Sequence, residues 1–200
     1  MLSRRPFLYI VSAPSGTGKT TLCRNLISQD SGLRYSVSVT TRPRKDKEEN
    51  GKDYFFLTEA EFTKMVAAEE LLEHEKVYGY SYGTPKDRVE ELLKQGFDVL
   101  FDLDVKGALN LMRIYTDSVT VFLLPPSIKE LRRRLFSRKR DDEETIEARL
   151  AAAISEINSA SRFDYIVVNE ELTESLRQLK EILHAERARS NRLEITKFKE

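Results

Sequence analysis

The sequence predicts an α/β fold of three layers, a parallel sheet with helices on both faces, carrying a β-rich inserted segment. Three observations lead there. Four apolar runs, FLYIVSA at 7–13, DVLFDLD at 98–104, SVTVFLL at 118–124 and DYIVVN at 164–169, read as buried strands. Helical patterns lie between and after them, and strands that alternate with helices pair in parallel under cover on both sides. The stretch from about 36 to 84 breaks the alternation with the β-rich pieces SVSVTTR and KDYFFL and the polar spacer KDKEENGKD, so it reads as an insertion.

Taken in order, the first strand runs into Ala13-Pro14-Ser15-Gly16-Thr17-Gly18-Lys19-Thr20 and then the helical TTLCRNLIS. A glycine-rich turn between strand and helix aims successive backbone N–H groups at one point, where the helix N-terminus adds its positive end, and phosphate oxygens fill that point. Gly16 and Gly18 permit the path, Lys19 reaches transferring phosphates, and the Thr20 hydroxyl is placed to bind Mg²⁺. Ala13 stands where the generic motif has its first glycine.

Further along, Thr58 with Glu61 and Ser127 with Glu130 form capping-box signatures. Thr84 caps and Pro85 opens a helix over DRVEELLKQ that Gly96 stops. The end, AERARSNRLEITKFKE, reads as a charged helical continuation that frays into a solvated tail.

Lys plus Arg equals Asp plus Glu at 33 each, so no overall field recruits nucleic acid or an acidic membrane, and recognition must be local. No run is long and apolar enough for a membrane helix or signal peptide, and Cys23 has no partner for an internal disulfide. A cytoplasmic protein is expected, with Cys23 as packed core. His74 and His184 have no partner at metal-ligand spacing.

The chain resembles guanylate kinase from about residue 7 to about 187, through YIVSAPSGTGKTTL, SVTTR, GKDYFF, LLEHEKVYGYSYGTP, DVLFDLDVKGA, FLLPPSIKELRRRL, and IEARL followed by DYIVVN. The resemblance implies reversible transfer of phosphate from ATP to GMP, and to dGMP with it, in purine nucleotide metabolism. It implies a nucleotide-binding P-loop core at 1–35, 89–128 and 150–200, a GMP-binding insertion at 36–88 and a helical, arginine-bearing lid at 129–149. Thr21 and Asn169 join Ala13 to Thr20 at ATP. By the same resemblance Glu73 accepts from the N1 and N2 edge of guanine, Ser38 and Thr84 contribute hydroxyls, and Asp102 adds a further carboxylate to this substrate site. Asp102 also ends a buried strand, the expected place for a carboxylate acting near Mg²⁺ through water, with Asp104 on the same side of it. Each also has an ordinary reading: Ser38 as strand edge, Glu73 as solvated face, Thr84 as helix cap.

Arg42, Tyr54 and Tyr82 match the family's GMP-phosphate positions, and Arg134, Arg138 and Arg149 its lid and catalytic arginines. Two departures stand out. Where T-R-x-P-R-x-G-E is usual, this chain has Thr41-Arg42-Pro43-Arg44-Lys45-Asp46-Lys47-Glu48, so Arg44 and Lys45 compete for the second phosphate position and Lys47 replaces a glycine. The planar fork of Arg44 suits phosphate better than an ammonium does. Lys139 stands where the lid usually has glycine. Guanylate-kinase-like domains of membrane-associated scaffolds, which bind partner proteins, typically have a damaged phosphate loop; here the loop, Arg42, Glu73, Asp102 and the lid arginines occur together. Monomer and homo-oligomer are equally compatible with the sequence.

Overall fold

The computed structural model describes residues 4–77, 79–136 and 143–194. Strand β1 (Leu8–Ser12) leads through the glycine turn into α1 (Lys19–Gln29), and β2 (Leu33–Tyr35) follows. The inserted stretch supplies β3 (Val39–Thr40), β4 (Phe55–Phe56), α2 (Glu59–Ala67), β5 (Leu71–Val77) and β6 (Tyr80–Pro85). Next come α3 (Lys86–Lys94), β7 (Asp98–Leu103), α4 (Val105–Ile114) and β8 (Val119–Leu124). The chain closes with α5 (Ile128–Phe136), α6 (Glu143–Ile157), β9 (Tyr165–Val168) and α7 (Leu172–Arg187).

Five parallel strands form the core sheet in the order β2-β7-β1-β8-β9. β1 is apolar throughout because both its faces are covered: Tyr9 and Val11 pack with Leu22 and Leu26 of α1 and Leu179 and Leu183 of α7, while Leu8 and Ile10 pack with Val89 of α3 and Leu111 of α4. The Tyr9 hydroxyl donates to the Leu179 carbonyl at 2.9 Å, which satisfies the polar end of a fully buried ring. A second, mixed sheet has the order β4-β3-β6-β5. Helices α5 and α6 pack on each other through their own apolar cluster of Leu131, Leu135, Ile146, Leu150 and Ala153.

The four expected strands occur within a residue of the apolar runs that predict them; β2, only three residues long, is an addition that pairs with β7. The Thr58–Glu61 capping box forms in full. At Ser127 only half forms: its hydroxyl accepts from the Glu130 amide at 3.1 Å, but the Glu130 carboxylate turns to Arg133 and Arg134.

Two expectations are corrected. Thr84 is not a helix cap, since Pro85 holds the N-cap place of α3 and the buried Thr84 hydroxyl bonds elsewhere. The chain after α7 is not a solvated continuation among its described residues. Arg192 is 2 % exposed, lies over the Phe7 ring at 4.2 Å and bonds the carboxylate and carbonyl of Asp117 at 3.1 and 3.0 Å. Leu193 bridges to Arg4, so the two ends of the chain clasp each other.

Asp98, wholly buried at the start of β7, anchors this clasp. Its carboxylate accepts two bonds from Arg4 at 2.6 Å each, one from the Phe7 amide at 3.1 Å and one from Arg187 Nε at 2.7 Å. Arg187 also forks onto Asp30 at 2.7 and 2.9 Å. Removing one member of a buried ionic set leaves uncompensated charge, so Asp98→Ala should cost about 3–5 kcal/mol. Urea unfolding followed by circular dichroism checks this: the midpoint should fall at unchanged slope, and a midpoint equal to the parent's would show the clasp contributes nothing.

Candidate functional site

β1 and β7 run side by side with Val11 opposite Asp102 and Ser12 opposite Leu103, so their C-terminal ends open together beneath the glycine turn. Gly16 and Gly18 adopt φ of +92° and +96°, which side chains other than hydrogen rarely tolerate. Space is tight as well: a Cβ on Gly18 would lie 3.0 Å from Asn169 Nδ2 and one on Gly16 3.0 Å from Leu135 Cδ2. Ala13, by contrast, is buried in the α1/α7 core, where its methyl packs without cost to the turn.

Asn169 is buried at the end of β9 and donates to the Thr17 carbonyl at 2.6 Å, holding the turn from beneath. Arg134 of α5 reaches the same carbonyl at 3.4 Å and the Asn169 carbonyl at 3.3 Å, and its Nε pairs with Glu130 at 2.8 Å. Lys19, first residue of α1, donates to the Leu103 carbonyl at 2.6 Å and forms an ion pair with Asp102.

Two cavities adjoin this turn. The first, about 370 Å³, is lined by residues 13–21 with Val77, Asp104 and Glu156. Glu156, on α6, faces the turn near the Ser15 amide; burial pushes its carboxyl up, the Asp104 charge adds to this, and Lys19 and the Ser15 amide oppose it. Nothing in ISEIN distinguishes this glutamate from an ordinary exposed helical one, and only the packing of α6 brings it here. Asp104 caps α4 by accepting the Gly107 amide at 2.7 Å.

The second cavity, about 570 Å³, shares Thr20 with the first and lies between α1 and the loop before β4, with Arg24, Tyr35, Lys47, Tyr54 and Asp102 in its wall. Arg24 crosses from α1 to Asp53 at 2.8 Å. Above it, Arg42 is held by Glu48 at 2.7 Å and by the Pro43 carbonyl at 2.8 Å, against the Tyr54 and Phe56 rings. The Arg42 bond keeps the Glu48 carboxyl below the usual range. The Tyr54 and Tyr82 rings meet edge-on at 6.0 Å between centroids. Arg44 and Lys45 are both exposed, and neither side chain lines the cavity; the Lys45 amide donates to Glu48 at 2.9 Å.

In the second sheet, Glu75 pairs with Tyr82, so Glu73 and Thr84, two residues along on each strand, share its face. The Thr84 hydroxyl donates to Glu73 at 2.6 Å. Burial pushes the Glu73 carboxyl up to about 6; the Thr84 bond opposes this and the Asp104 and Glu75 charges assist it. A Cβ on Gly107 would lie 3.2 Å from Asp104 and 3.5 Å from Glu73, so the missing side chain lets α4 approach both carboxylates. Glu75 bonds Lys106 and, at 2.9 Å, Asn110, docking β5 onto α4. Ser38 is half-buried beside β3, its carbonyl accepting the Phe55 amide at 2.9 Å.

Arg149 is half-buried on α6, and Arg138 and Lys139 lie outside the described residues. Cys23 is buried, and burial pushes its thiol up, so it stays protonated core. Among the described residues no three His, Cys, Asp or Glu groups converge as a metal cage, and no helix is long and apolar enough to cross a membrane.

The family model described as guanylate kinase matches residues 4–186. A guanylate kinase of Novosphingobium aromaticivorans is 50 % identical over 192 residues, 96 % of this chain and 87 % of that protein. One of Rickettsia prowazekii is 44 % identical over 92 % of this chain and 93 % of its own. The crystal structure of guanylate kinase from Anaplasma phagocytophilum superposes with a TM-score of 0.81 at 32 % identity, over 98 % of this chain and 93 % of that one.

The buried Asn169 bond should be worth about 0.5–1.5 kcal/mol, the net worth of one hydrogen bond, since Arg134 still reaches the Thr17 carbonyl when it is lost. Asn169→Ala should lower the urea midpoint accordingly, and Asn169→Asp should lower it further at neutral pH by setting a carboxylate against that carbonyl. Equal midpoints for both variants and the parent would mean the turn does not rest on Asn169.

Proposed function

The chain belongs to the guanylate kinase family, and from that premise we propose that its two adjoining cavities hold ATP and GMP end to end, with Thr20 on the wall they share. The enzyme transfers phosphate reversibly from ATP to GMP, giving ADP and GDP. That shared wall carries the reading, because in-line transfer needs the two phosphates to meet at one place with little else to separate them.

ATP takes the first cavity, its phosphates on the amides of the turn and the positive end of α1. Lys19, steered by Asp102 and the Leu103 carbonyl, reaches the transferring phosphate. GMP takes the second, its phosphate toward Arg42, Tyr54 and Tyr82 and its base toward Glu73, Thr84 and Ser38. A guanidinium has five donors, so Arg42 keeps several for phosphate after its bonds to Glu48 and Pro43. Guanine offers two donors from N1 and N2 to the ionised Glu73, and the Thr84 hydroxyl is placed to serve its acceptor edge. Adenine inverts that pattern, and a polar site of this kind rejects a wrong base by about 10⁴–10⁵ in favourable cases.

The exposed Thr20 hydroxyl and the Asp102 carboxylate on one cavity wall are hard oxygen donors of the kind Mg²⁺ takes. Thr20 would hold the ion directly and Asp102 through water, and when bound it would neutralise phosphate charge. Arg134, beside the turn, and Arg149 stabilise charge that develops on the moving group. Arg138 is assigned with them by family position alone. dGMP should serve as acceptor too, and the cytoplasm, which holds both nucleotide pools, is the fitting location.

A coupled ADP-release assay tests the function: GMP and dGMP should support turnover, AMP, CMP and UMP should not, and comparable rates with AMP would overturn the base assignment. Lys19→Ala should lower kcat about 10²–10³-fold, the usual loss for one transition-state donor; near-normal turnover would sink the placement of ATP on the turn.

The Glu73 carboxyl, pushed up to about 6, must be ionised to accept both guanine donors. Affinity should therefore be full above neutrality and fall as pH drops through about 6. Guanosine is the suitable probe, since the phosphate of GMP titrates near ~6 itself. Glu73→Gln should bind guanosine weakly at every pH without the step; a variant that matches the parent would remove Glu73 from the base site.

A further inference from the structure

The acceptor cavity is lined by four carboxylates, and each already has a cation: Glu48 has Arg42, Asp53 has Arg24, Glu49 has Lys52 at 3.3 Å, and Asp102 has Lys19. These pairs leave the wall neutral. A phosphate dianion brought into such a wall, toward a second polyanion, requires positive charge beyond that balance. Lys47 lines the same cavity, and among the described residues it forms no ion pair.

Its position follows from the local sequence. Pro43 comes one residue earlier than in the family pattern, and Arg44 and Lys45, exposed as Lys47 also is, do not line the cavity. The turn at 46–47, closed by the Glu48 amide on the Lys45 carbonyl at 3.0 Å, brings the chain back, so the next cationic side chain to reach the cavity is Lys47. The family's glycine at this place has no side chain to offer, and Lys47 does not use the left-handed conformation that would call for one.

We infer that Lys47 is a substrate-binding residue that supplies the uncompensated cation of the GMP-phosphate site, replacing in this chain the second arginine that the displaced proline carries away. The inference rests on the reading that the phosphate of GMP occupies this cavity. Lys47 then selects for the phosphorylated nucleoside, while the nucleoside itself is read at Glu73 and Thr84.

Titration calorimetry with GMP and with guanosine, on the parent and on Lys47→Ala, Lys47→Arg, Arg44→Ala and Lys45→Ala, tests it. Lys47→Ala should weaken GMP about 10- to 100-fold, the range for a lost charged hydrogen bond. Guanosine affinity should not move, Lys47→Arg should restore most of the loss, and the Arg44 and Lys45 variants should each lose less. Unchanged GMP affinity in Lys47→Ala overturns the inference, and so does an equal loss for guanosine, which would make Lys47 a support of the loop. A parent that binds GMP no better than guanosine would instead overturn the placement of the phosphate in this cavity.

Discussion

The ion pair of Lys19 with Asp102 is the contact on which the rest of the site depends. It joins the first residue of α1 to the C-terminal end of β7, and it exists only because β1 and β7 are parallel neighbours in the register that sets Val11 beside Asp102. Were β7 shifted by one residue, the carboxylate would point to the opposite face of the sheet and the lysine would lose its guide. The same aspartate lines the second cavity, so one side chain serves both the lysine of the glycine turn and the cavity wall beside it.

Around that contact the inserted sheet meets the core through both apolar and polar contacts. Leu72 of β5 joins the cluster of Leu8, Val89 and Ala108, and Arg88 of α3 lies over the Phe55 ring. Glu75 docks β5 on α4 through Lys106 and Asn110, and Arg24 crosses from α1 to Asp53. Charged pairs with exposed members are worth little each, typically under about 1 kcal/mol, so the apolar contact at Leu72 carries most of this attachment. At the base of the sheet the buried Asp98 collects Arg4 and Arg187 and closes the chain ends on each other.

Much of this was readable in the chain itself. APSGTGKT after a buried strand, and the four apolar runs with their intervening helical patterns, follow from backbone geometry and burial that act within a few residues. Thr84 was readable only halfway: a threonine before proline looks like a cap, and it is the antiparallel pairing of β5 with β6 that brings its hydroxyl to Glu73. Between Arg44 and Lys45 the sequence could prefer Arg44 only by side-chain chemistry, because spacing counts residues and does not register that both are exposed and line no part of the cavity.

By itself, then, the sequence determined the α/β class, the phosphate-binding turn and, through its spaced motifs, the resemblance to guanylate kinase, all of which depend on local pattern. Tertiary structure decided which distant groups meet: Glu156 at the Ser15 amide, Asn169 beneath Thr17, Arg192 on Phe7, and Lys47 in the wall of the acceptor cavity. Asn169 was marked only through a family motif, without its bond to Thr17, and none of the other three has a partner within reach along the chain, so no periodicity marks them. They arise when sheet order and helix packing bring remote segments within hydrogen-bonding distance, where an unpaired polar group or an uncompensated charge is costly enough to fix its neighbour.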